Sequence, residues 1–152
     1  MSLYKEPYMV DDRLRAAALG LKRAQTAKSA LLDRRLASIG LTMALWVVLE
    51  RIRANPALST HALAEASLMT DQSVGELVSK LAKRGLVERV SGPGRAIRHH
   101  LTDSGRELLE RAAPLLAEAL QSAFSELSAA EIEQLIRLLD KIAPSRGSGA
   151  SP

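Results

Sequence analysis

Between Ser59 and Thr102 the chain passes through four segments whose order leaves few folds open. Ser59 suits an N-cap, and the short helical run His61–Ala66 after it puts Leu63 and Ala64 on one side. A break follows. Val74, Leu77, Val78 and Leu81 then recur at i, i+3, i+4 and i+7, the period of a helix with one buried face, over about Asp71–Lys83. Gly85 stops it. Leu86–Ser91 and Arg95–Leu101 read as two antiparallel strands across the Gly92-Pro93-Gly94 turn. Helix, turn, helix and hairpin form the outline of a winged helix-turn-helix, an arrangement that can offer its second helix to the major groove of a duplex.

The flanking sequence is helical. Asp11 or Asp12 suits an N-cap, and Leu14, Ala17, Leu21, Ala24, Leu31, Leu32 and Leu36 mark an apolar stripe that Gly40 ends. A helix of roughly 25 residues is about 40 Å long, more than one small core can cover. Either it is a surface helix with a frayed start, or part of its stripe packs on a second subunit; the second is the expectation. Thr42 caps Met43–Ala54, which Asn55-Pro56 closes, and Trp46, Val47, Leu49 and Ile52 make that helix apolar nearly all round. Thr102 caps another helix reaching about Leu127, with Leu108, Leu109, Leu115, Leu116, Leu120 and Phe124 on its apolar side. Ser128 and Glu131 form a capping box for a last helix, in which Ile132, Leu135, Ile136, Leu139 and Ile142 repeat at helical spacing.

Composition narrows the function classes. Apolar residues reach 47%, mostly Ala and Leu, and aromatics only 3%, a mixture that favours helices over a barrel or sandwich. The absence of cysteine excludes a disulfide frame, a thiolate zinc site and a thiol redox sensor. The longest apolar run is Met43–Leu49, far below the ~18 residues of a membrane span, and the start lacks a signal-peptide core. A cytoplasmic protein without membrane contact is expected. Neither a G-x-S-x-G elbow nor a phosphate loop is present, so we expect no enzyme and no cofactor. His99 and His100 are adjacent on a strand and point to opposite faces, which argues against a shared metal ion.

Charge points to a polyanion. Met69–Arg106 holds Lys80, Lys83, Arg84, Arg89, Arg95, Arg98 and Arg106 against Asp71, Glu76, Glu88 and Asp103, most of the net +4 of the whole chain. Thr70, Gln72, Ser73, Glu76, Ser79 and Lys80 lie off the apolar face of the second helix, and short polar side chains at its positive end can reach base edges or phosphates. Thr70 and Asp71 equally suit ordinary capping. Arg95 stands just beyond the hairpin turn and Arg98 three residues on, where an arginine can enter a minor groove or remain solvated.

Leu41-Thr42 with Trp46 and Val48-Leu49, then Leu63-Ala64-Glu65, Leu81-Ala82-Lys83-Arg84-Gly85-Leu86-Val87, Arg95 and Leu101-Thr102-Asp103-Ser104-Gly105 together resemble the MarR family of bacterial transcription regulators. The resemblance spans roughly residues 11–143. It implies a mainly α fold with a small β-hairpin: a winged helix-turn-helix over about 42–102 and dimerisation helices over about 11–39 and 103–143. An N-terminal arm at 1–10 and a disordered Ser/Gly/Pro tail at 144–152 flank this single domain. It further implies a homodimer on a near-palindromic operator of double-stranded DNA, acting as a repressor. Thr70, Gln72, Ser73 and Glu76 would then contact bases, with Lys80 near the backbone and Arg95 as the wing arginine.

Two positions depart from the family pattern: Pro93 stands where an aspartate usually braces the wing, and Glu76 where an arginine or histidine is frequent. Glu76 could accept a hydrogen bond from a cytosine amino group, so altered base preference is expected. Many relatives release DNA when a small anionic or aromatic ligand binds. By position Arg34, Met43, Trp46 and His61 would line that cleft, or else Met43 and Trp46 are core and Arg34 is ion-paired. A winged helix that binds protein instead of DNA, and a metal-responsive regulator, are the alternative readings.

Overall fold

The computed structural model describes residues 11–56, 58–92, 94 and 97–143; the expected arm and tail, together with Pro93 and Arg95, lie outside these. In order run α1 (Asp12–Ala37), α2 (Met43–Ala54), α3 (Thr60–Ser67), α4 (Asp71–Lys83), β1 (Val87–Ser91), β2 (Ile97–Leu101), α5 (Asp103–Ala123) and α6 (Ala129–Ile142).

Local chemistry sets most of these limits. Asp11, Thr42, Ser59, Thr70, Thr102 and Ser128 each accept a hydrogen bond from a backbone N–H of the first turn of their helix. Ser128 and Glu131 complete the capping box reciprocally. Gly40 and Gly85 both adopt φ +69°, where an L side chain is strained. The N–H of Leu41 returns to Leu36 O, and that of Leu86 to Leu81 O, closing α1 and α4. The expected limits shift by one residue at α3, which runs Thr60–Ser67, and at β1, which begins at Val87; the larger shift is at α5, which stops at Ala123, four residues short of Leu127. The Phe124, Ser125 and Leu127 amides bond backward in short turns before Ser128 starts the next helix.

The core gathers around α2, which packs against α1, α3, α4, α5 and β2. Val48, Leu49 and Ile52 are buried there with Leu36, Leu41, Leu63, Val74, Val78 and Leu81. Trp46 and Val47 are half-buried, so α2 keeps one partly open side. The hairpin pairs Val87 with Leu101 at its root and Ser91 with Ile97 toward its tip. Gly105, in the first turn of α5, sits directly against the Leu86 carbonyl and seats α5 on the strand that follows.

The other end of the molecule is left uncovered. α5 packs along α1, burying Leu32, Leu116 and Ala119, but Leu14 and Leu19 of α1 are 65% and 55% exposed. α6 buries no residue, although its apolar side carries Leu135, Ile136, Leu139 and Ile142. A recess of about 500 Å³ opens between α1 and the α5–α6 corner, lined by Leu21, Ala24, Leu31, Phe124, Leu135 and Leu139. Among the described residues no helix is long and apolar enough to cross a membrane.

Candidate nucleic-acid interface

α4 is divided lengthwise. Val74, Val78 and Leu81 are buried and Leu77 packs against them, while Gln72, Ser73, Glu76, Lys80 and Lys83 lie on the open side. The Thr70 hydroxyl accepts from the Ser73 amide at 3.1 Å and donates to Ser73 Oγ at 2.8 Å. Both hydroxyls therefore serve the cap as well as standing at the helix's positive end. One turn on, Gln72 Nε2 donates to Glu76 Oε1 at 3.3 Å, and this pair faces solvent.

Beside the exposed row lies an open recess of about 590 Å³, lined by Gln72, Gly75, Glu76, Ser79, Lys80, Lys83 and Arg89. Arg89 reaches it from β1, with Nη2 donating to Ser79 Oγ at 2.7 Å. Among the described residues, no atom outside the neighbouring backbone of α4 lies within 4 Å of where a Gly75 Cβ would be, so none of the described helices requires glycine there. Ser73, Glu76 and Lys80 also line a second recess of about 440 Å³ with Ala44, Met69 and Leu77. The geometry thus gathers Gln72, Glu76 and Lys80 and adds Ser79, expected only on the open helix surface, and Lys83 and Arg89, expected only as part of the cation cluster. Lys83 had a signal, its helical spacing from Gln72 and Glu76. Beyond its membership of the cation cluster, nothing local put Arg89 beside α4, because its place depends on how the strand crosses that helix.

The remaining cations are used differently. Arg84 donates to the Gly40 carbonyl at 2.7 Å, and Arg106 holds Asp103 and the Leu101 carbonyl, so both serve the fold. Arg98 is half-buried on β2, one residue from His99 and therefore on the opposite sheet face. Arg95 lies outside the described residues.

The histidines fall into two environments. His61 is exposed, with Nδ1 2.9 Å from the Asp71 carboxylate and Nε2 3.9 Å from Glu65. The hydrogen bond and charge of Asp71, with the charge of Glu65, raise its pKa above the ordinary value. His99 is buried, and burial first, then Arg89 and His100, push its pKa down. None of the four candidate effector residues lines the three recesses described above. Arg34 is exposed on α1, Met43 and Trp46 pack half-buried on the core, and His61 faces solvent beside α4.

A polar, cation-flanked helix with a hairpin laid against it has close counterparts among known proteins. Residues 39–96 match the sequence model of the MarR family. The chain is 30% identical over 109 residues to the HTH-type transcriptional repressor Rv2887 of Mycobacterium tuberculosis, covering 70% of this chain and 78% of that protein. Its fold matches BpsR of Bordetella bronchiseptica with a TM-score of 0.78 at 28% identity, over 84% of this chain and 98% of BpsR. That structure is described in terms of regulation of DNA binding by 6-hydroxynicotinic acid. It also matches a cysteine-to-serine mutant of MarR from E. coli, solved with operator DNA, with a TM-score of 0.82 at 23% identity over 90% of this chain and all of that one. The chain belongs to the MarR family of transcriptional regulators.

Proposed function

We propose that the protein is a cytoplasmic, non-catalytic repressor that binds a near-palindromic DNA operator as a homodimer. The observation that carries this reading is the exposed row Gln72, Glu76, Lys80 and Lys83 on α4, with Arg89 reaching in from β1. Thr70 and Ser73 stand at the end of α4 that enters the major groove, where unpaired amides and the helix dipole favour phosphate. Arg95 and Arg98 of the wing contact the flanking minor groove and backbone. The winged unit, about residues 42–102, reads DNA, while helices over 11–39 and 103–143 join the two subunits.

The uncovered apolar sides of α1 and α6 supply the dimer contact. Two-fold symmetry then sets half-sites about one helical turn, ~10 bp, apart or a multiple of it. A small anionic or aromatic ligand releasing the DNA belongs to this reading through the described regulation of BpsR. Arg34, Met43, Trp46 and His61 are the ligand's candidate contacts.

Selection of bound duplexes from a random pool, followed by titration at several salt concentrations, tests the proposal. An inverted repeat should emerge, with affinity falling steeply as salt rises because phosphate contacts release counterions. Failure to retain any duplex at low salt overturns it in favour of a protein-binding winged helix.

A further inference from the structure

The rungs of the hairpin change character one step out from its root. Val87 and Leu101, the first pair, are buried in the core. In the third rung Arg89 is paired with His99, and residues paired across a ladder share a sheet face. This face is turned to the helices. Arg89 Nη2 donates to Ser79 Oγ of α4 at 2.7 Å, and His99 Nε2 lies 3.1 Å from Thr60 Oγ1, on the first residue of α3. On the same face the next pair outward, Ser91 and Ile97, is exposed. One rung therefore ties the hairpin to both helices of the helix-turn-helix, with one side-chain hydrogen bond to each.

His99 is 2% exposed and its Nδ1 is buried without a partner. A neutral ring can share one proton with Thr60 and leave a single nitrogen unsatisfied. A cationic ring carries an N–H on both nitrogens, with one acceptor available. The charges that act on the ring are Arg89 across the ladder and His100 beside it. Carboxylates on neighbouring elements are engaged or turned away. Glu50 of α2 is bound by Arg53, Asp103 of α5 by Arg106, and Glu88 of β1 pairs with His100 on the far face. On α3, Glu65 sits beside the exposed His61.

We propose that the Arg89–His99 rung is the stop that sets the wing against the helix-turn-helix, with neutral His99 as its positioning residue. Uptake of a proton by His99 frees the wing and weakens the grip on DNA. Only this last step rests on the DNA-binding reading. The direction in pH follows from the depressed pKa of the docked ring. Docking is fully present above the ordinary value of 6.5 and is lost as pH falls below it toward the docked-state value. His61 acts oppositely, since its raised pKa strengthens its hold on Asp71 toward acid. Added positive charge by itself also tightens DNA binding, so an acid-induced loss of affinity is a distinctive signature.

The test uses the full chain. Ring-nitrogen spectra and amide exchange are followed from about pH 8 to about pH 5 without DNA, and affinity for a selected duplex is measured at both ends of that range, which brackets histidine titration. His99 should hold one tautomer at high pH and titrate below 6.5, with amide exchange at 87–101 quickening as it does. Thr60→Val should quicken the same amides already at high pH and weaken duplex binding about fivefold, the worth of one hydrogen bond. His99→Leu should bind more weakly at high pH and His99→Gln should recover affinity, since its amide can still meet Thr60. Neither should retain the acid response. The proposal is overturned if His99 titrates at or above 6.5, if His99→Gln keeps the acid response, or if Thr60→Val leaves exchange unchanged. Should the ring behave as expected while the wild type retains no duplex, the DNA reading fails and takes the final step of the proposal with it.

Discussion

Two glycines with opposite surroundings give the sharpest expectations for single residues. A methyl group on Gly105 would collide with the Leu86 carbonyl oxygen, which is backbone and cannot swing away. Gly105→Ala should therefore lower stability by about 1–3 kcal/mol, read as an earlier urea midpoint; an unchanged midpoint would show that α5 can shift outward. Gly75, by contrast, faces open space in the middle of α4. Gly75→Ala should raise stability by up to about 1 kcal/mol through helix propensity. The same methyl stands in the recess beside Glu76 and Arg89, so duplex affinity should fall while the melting temperature rises. His61 offers a third measurement. Asp71→Asn removes the largest cause of its raised pKa, so the ring should titrate nearer 6.5 by NMR. That ion pair adds to stability below 6.5 and its contribution is lost as pH rises through the raised value. No movement of the His61 titration on substitution would mean the contact is not made in solution.

At the level of elements, α4 works as a helix with two assignments. Its buried side, Val74, Val78 and Leu81, anchors it to α2 and the hairpin, leaving the opposite side free to carry Lys80 and Lys83. If these lysines meet phosphate, Lys80→Ala and Lys83→Ala should each reduce the slope of log affinity against log salt by roughly one, with little change in base preference. An unchanged slope would move the DNA surface elsewhere. The hairpin has a comparable division, with an apolar root in the core, the polar Arg89–His99 rung against α3 and α4, and exposed residues beyond.

Taken as a whole, the chain is well buried around α2 and poorly buried where α1, α5 and α6 meet. A helix with a strong apolar side and no buried residue is not stable packing for a lone subunit, because the exposed apolar area gains nothing from folding. A second subunit supplying the missing contacts resolves this. Leu139→Glu, on the wall of the α1–α6 recess, should shift the protein toward monomer in sedimentation and weaken duplex binding, since two half-sites are then no longer held by one particle. A dimer that survives this substitution would place the subunit contact on another face.

How the chain divides into elements was legible from residues near one another in sequence. The caps at Ser59, Thr70, Thr102 and Ser128, the stops at Gly40 and Gly85 and the period of Val74, Leu77, Val78 and Leu81 act over a few residues. Such short-range interactions need no knowledge of the rest of the fold. Charge clustering likewise pointed to a polyanion, and motif order to the family. Hidden from that reading were the contacts made by distant partners. Arg89 meets Ser79 ten residues away and His99 meets Thr60 at a separation of 39. Which strand residues face the helices depends on a register and a packing angle that no local pattern encodes. For the same reason local pattern says nothing of how Arg34, Met43, Trp46 and His61 stand to one another; they lie on an exposed helix face, the core margin and the α3–α4 junction. Local chemistry thus specifies where helices and strands begin and end, while long-range packing alone selects which side chains share a surface.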